Sequence, residues 1–110
     1  MRQGCLDDMV GFCVGELASG DVARINALVR TMAAMWESES ALAICFALTS
    51  AGAILEDQFQ NQEAISRRAF VLSSLLAADV FALEETGQYP AKGHHLLHYW
   101  RRADPYFLKL

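Results

Sequence analysis

The chain has 110 residues, 54% hydrophobic and 20% charged, with a formal net charge of −4, whereas soluble domains carry about 25% charged residues. This is the length of a single domain, 1–110, able to bury about 60–68% of the surface its unfolded form exposes, so a core forms without disulfide or metal staples. The negative balance counts against nucleic acid as a partner, and the apolar excess is expected to be hidden in a homodimer, whose interface resembles a core cut in half.

Two apolar runs, 41–55 and 69–83, could be mistaken for membrane spans, but each is shorter than the roughly 20 residues a bilayer requires, and the second carries Asp79. Arg2 is followed by Asp7 and Asp8 rather than by a long apolar stretch, which argues against a cleaved signal peptide. Cys5, Cys13 and Cys45 are odd in number and lack CxxC spacing, which fits a reducing compartment. The expectation is a cytoplasmic, soluble protein. Cys45 reads as a small buried hydrophobe. Cys5 and Cys13, eight apart and close to one helical face, are the pair to consider for a redox or ligand role.

Helical signals run along nearly the whole chain. Leu6, Met9, Val10, Cys13 and Leu17 recur at three- and four-residue spacing, with Asp7 and Asp8 placed in a first turn to complement the helix dipole. Ser19, Gly20 and Asp21 predict a tight turn, glycine taking the left-handed position and aspartate capping the next helix. The second helix has the clearest stripe, Val22, Ile25, Val29, Met32 and Trp36, with Arg24, Asn26, Arg30 and Thr31 off it. The segment 37–40 marks a break or a kink.

Residues 41–55 contain no charge and predict a helix apolar all round, wrapped by its neighbours and leaving the core through Glu56, Asp57, Gln58 and Phe59. Asn61 is a reasonable cap for the fourth helix, 62–86, which carries Ile65, Ala69, Leu72, Leu76, Val80 and Leu83 on one face and stops at Gly87. Small residues Ala47, Ala51 and Gly52 are expected to face Ser73, Ala77 and Ala78 in a close hairpin. A loop, 88–93, and a short helix, 94–102, ended by Asp104 and Pro105, complete an all-α bundle of four main helices plus a short C-terminal one.

Charge changes along this chain. Residues 1–87 hold five Lys/Arg against twelve Asp/Glu, a balance of −7, while 88–110 hold four against one, a balance of +3. Tyr89, Tyr99, Trp100, Tyr106 and Phe107 are five of the eleven aromatics. One reading is that Lys92, Arg101, Arg102 and Lys109 fold back on the acidic surface of their own bundle or of a twin subunit, with the aromatics filling the seam. Because Trp, Tyr and Arg dominate interface energetics, Tyr99, Trp100, Arg101, Arg102, Tyr106 and Phe107 are the expected partner-binding residues, toward a second copy or an acidic protein, with 106–108 as an extended arm separable from the core.

His94, His95 and His98 form the other constellation. On a helix His94 and His98 lie one turn apart, and two imidazoles can reach one divalent metal ion, with a third ligand sought among Glu84, Glu85, Glu56, Asp57 or a cysteine. Neither HExxH nor ExxH accompanies them, phosphate-loop glycine patterns are missing, and no serine lies on a GxSxG elbow. The functional expectation is a non-enzymatic, homo-oligomeric protein acting through protein–protein contacts; the alternative is a metal-binding bundle using the HHxxH turn.

Overall fold

The computed structural model describes residues 3–58 and 62–110, with side chains described at 5–57 and 62–110. Six helices follow in order: α1 (Gln3–Ala18), α2 (Val22–Met35), α3 (Ala41–Gln58), α4 (Glu63–Glu85), α5 (Gly93–Arg102) and α6 (Tyr106–Lys109). Among the described residues there is no strand, only an isolated bridge between Ser40 and Lys92, so the protein is all-α. No helix among them is long and apolar enough to cross a membrane. Phe59 and Asn61, the expected exit of the third helix and cap of the fourth, lie outside the described residues.

Helix α1 is already helical at Gln3, so Asp7 and Asp8 are exposed in its second turn, too late to complement the N-terminal dipole as expected. Met9, Cys13 and Leu17 point into the core, with Leu6 and Val10 half-buried beside them. The turn to α2 matches its sequence signature: Gly20 takes φ 71°, and Asp21 caps α2 by accepting from the Arg24 amide at 3.2 Å. Ile25, Leu28, Val29, Met32 and Ala33 are the buried face of α2. The expected stripe is trimmed at both ends, because Val22 is exposed in the first turn and Trp36 is the C-cap, edge-on to Phe12 at 5.8 Å.

The chain breaks rather than kinks after Trp36. Ser40 then accepts from the Ala43 amide at 3.2 Å at the start of α3, while the backbone of 37–41 clamps the entry to α5. Three hydrogen bonds form the clamp: Ala41 N to Ala91 O at 2.9 Å, Gly93 N to Glu39 O at 3.0 Å and His94 N to Glu37 O at 2.8 Å. Gly93 is required here by close approach. A Cβ at 93 would lie 2.6 Å from Trp36 O and 2.7 Å from Ala33 O, both rigid backbone atoms.

Helices α3 and α4 form the central antiparallel hairpin, in a register different from the expected one. Ser73 Oγ donates to Cys45 O at 3.0 Å, which leaves Thr49 Oγ1 as donor in its 2.7 Å bond to Ser73 Oγ. Gly52 meets Ala69 and Phe70 rather than Ala77 or Ala78, both of which are exposed. The buried face of α4 includes Ala69, Leu72, Leu76, Val80 and Leu83, as its period predicts, and Gly87 ends it at φ 103°.

Two expectations fail by burial, in opposite directions. Helix α3 is not wrapped on all sides: Leu42 and Phe46 are 62% and 54% exposed, because α1, α2 and α4 cover only its remaining surface. The arm 106–108 is not extended but is the helical turn α6, and it closes on the core. Trp100 and Phe107, 0% and 1% exposed, pack with ring centroids 5.1 Å apart, and Arg30 Nη1 donates to Phe107 O at 3.3 Å.

Candidate functional site

A cleft of about 520 Å³ lies between the C-terminal end of α4 and one face of α5. Leu83, Thr86 and Gln88 form one wall, and His94, His95, His98, Tyr99, Arg101, Arg102 and Ala103 the other. The helical period explains this arrangement. Leu96 and Trp100 anchor α5 in the core, which turns the histidines and arginines to the opposite side.

His95 is the best-positioned of the three imidazoles. Its Nδ1 accepts from the Lys92 amide at 2.9 Å, capping the first turn of α5, so in the neutral ring the proton sits on Nε2. Burial, and then the neighbouring His94, Lys92 and His98, lower its pKa from the ordinary value near 6.5. The His94 and His95 ring centroids are 4.1 Å apart. Burial raises the pKa of the Tyr99 hydroxyl, with Asp79 and Asp104 adding to the shift, so the phenol stays protonated and can donate.

The three histidines line one cleft, and among the described residues no carboxylate or thiol lines it with them. Glu84, a candidate third ligand, instead accepts from the Ala91 amide through Oε2 at 3.3 Å. Among the described residues no group of three or more His, Cys, Asp or Glu side chains is placed to hold a metal ion.

Of the six residues expected at a partner surface, Arg101, Arg102 and Tyr106 are exposed and Tyr99 is half-buried. Trp100 and Phe107 are core residues. The Trp100 indole N–H donates to Asp79 Oδ2 at 2.9 Å, and burial of this carboxylate raises its pKa above the ordinary 3.8. The cysteines are buried as well. Cys13 Sγ donates to Met32 Sδ at 3.2 Å, and burial pushes the thiols of Cys13 and Cys45 up to about 12, far from the thiolate that redox chemistry requires.

A second concave region escaped the sequence reading. It is a shallow groove of about 700 Å³ lined by residues of α1, α3 and α4, including Leu6, Leu42, Ala43, Phe46, Thr49 and Ala77. Phe81, 66% exposed, stands one turn beyond Ala77 on α4. Among the described residues no charged side chain lines the groove. The available signal was the absence of charge from 41 to 55, but an unbroken apolar run has no period from which to choose its exposed face.

No protein-family model, no curated protein and no solved structure matches this chain.

Proposed function

We propose that this protein works through protein–protein contact, and that the contact is self-association through the uncharged groove of α1, α3 and α4. One observation carries the reading: Leu42 and Phe46 line an apolar groove yet remain exposed, and Phe81, one turn beyond the groove residue Ala77 on α4, is exposed too. Such a patch marks a binding face more often than a solvated one.

Area and charge favour a second copy as the occupant. Phe46 and Phe81 expose slightly more than one whole ring between them, or about 240 Å² on the scale of about 200 Å² per aromatic side chain. Leu42 and the groove walls extend this toward the apolar part of a standard-sized specific interface, which buries about 800 Å² per partner. Each copy carries −4, yet no charged side chain among the described residues lines the groove, so two copies can meet there without opposing like charges among those residues. Each would offer a protruding ring and a groove of small side chains, as a two-fold, self-complementary interface requires.

Sedimentation at micromolar concentration, in low and in high salt, tests the proposal. The expected result is a dimer in both, converted to monomer by Phe46→Glu, with the unfolding transition of the variant retained. A monodisperse monomer in both salts defeats it. Dissociation in high salt alone would assign the contact to charge instead.

A further inference from the structure

We propose that the cleft between the end of α4 and α5 is a binding site for a small phosphate-bearing anion, held by Arg101, Arg102, His94, His95 and His98. Its volume of about 520 Å³ falls within the range of small-ligand sites, about 300–1,000 Å³. Three imidazoles and two guanidinium groups line it, with no carboxylate among its lining residues. Among the described residues the one salt bridge joins Arg24 to Glu16, so neither Arg101 nor Arg102 is neutralised by an ion pair. On adjoining segments Glu84 accepts from Ala91 N and Asp104 from Tyr106 N, while the exposed Glu85 is not among the residues that line the cleft.

Sign selects an anion over a metal ion. Two permanent guanidinium charges beside the imidazoles disfavour a cation, whereas guanidinium matches phosphate oxygens through paired N–H donors. The donors are partly preorganised, because the Lys92 amide fixes His95 with its Nε2–H free to donate. The lowered pKa of His95 has burial as its first cause, and the neighbouring His94, Lys92 and His98 lower it further. Leu83, Ala103 and the Tyr99 ring add apolar wall, which suits the organic portion of a phosphomonoester better than bare phosphate.

Titration with phenyl phosphate, inorganic phosphate, benzoate, an acidic peptide and Zn²⁺, each at constant ionic strength and followed through the imidazole NMR signals, tests the site. The expected result is saturable binding of phenyl phosphate, confined to the three histidines and at least tenfold tighter than benzoate. The Arg101→Gln/Arg102→Gln double variant should weaken it at least tenfold, and His98→Gln, which removes a different exposed donor, provides an independent loss. Equal binding of the two phosphates would uphold the site and assign it to free phosphate. Failure to saturate, unchanged binding in these variants, or preference for benzoate, an acidic peptide or Zn²⁺ would overturn the proposal.

Discussion

Helix α3 and the α5–α6 segment exchange the environments that their compositions suggest. The more apolar helix leaves Leu42 and Phe46 in solvent, while the basic C-terminal segment inserts Trp100 and Phe107 fully into the core. Mean hydropathy ranks segments, but burial is decided residue by residue, by which face a neighbour covers. Helix α5 has few apolar residues, yet Leu96 and Trp100 are one turn apart and dock together. Helix α3 has apolar residues on every side, and its neighbours are too few to cover them all.

The largest expected effect tests the interior role of the C-terminal segment. Trp100→Ala and Phe107→Ala should each destabilise the fold by about 3–5 kcal/mol, the range for aromatic truncation in a core. Chemical denaturation measures this. Deleting 103–110 should be equally severe, because it removes Phe107 and the acceptor of Arg30. A truncated chain with an unchanged unfolding midpoint would restore the separable arm and break the contrast with α3.

Clamp and core account for the next tier. Leu48→Ala in α3, at a fully buried position, should cost about 2–5 kcal/mol. Gly93→Ala should cost about 1–3 kcal/mol as an overpacking change, since the carbonyls of Ala33 and Trp36 cannot swing away as a flexible side chain would. The same two unfolding curves rank the sites, and a neutral Gly93→Ala would mean that the α2–α5 contact is looser than described.

Asp79 links the two regions, because it projects from the hairpin to the Trp100 indole. Its folded pKa lies above the unfolded value, so its favourable contribution is present below about pH 3.8 and is lost as pH rises through the folded pKa. Asp79→Asn keeps an oxygen for the indole and removes the charge. Its stability relative to wild type should therefore rise from about pH 4 upward and then level off once Asp79 is ionised. A difference that stays flat with pH would show that this carboxylate is as well solvated when folded as when unfolded.

Much of this architecture was legible because the responsible signals are local. Asp21 as a cap, Gly20 and Gly87 at helix ends, and the α4 stripe depend on residues within one or two turns. The gathering of His94, His95 and His98 followed from helical spacing in the same way. Long-range features were not legible. The Asp79–Trp100 hydrogen bond spans 21 residues and the Arg30–Phe107 bond 77. No spacing rule relates such positions. The cleft lies closer in sequence, yet its Leu83, Thr86 and Gln88 wall is set by how the turn after α4 directs α5, which helical spacing does not specify.

The smallest expected effect lies six residues from one of the large ones. Leu42 and Leu48 have the same side chain in the same helix, but Leu42 is 62% exposed and Leu48 is fully buried. Leu42→Ala removes little area from the folded monomer's interior and leaves no cavity, so its cost should stay within about 0.5 kcal/mol. The measurement should be made in protein dilute enough to be monomeric, because assembly would add its own binding free energy to the apparent stability. At higher concentration the same substitution should lower the unfolding midpoint further, in proportion to how much Leu42 contributes to self-association. A cost of several kcal/mol in the dilute monomer would place Leu42 in the core and close the groove. A small cost at every concentration would leave the groove open but move the contact away from Leu42, toward Phe46 and Phe81.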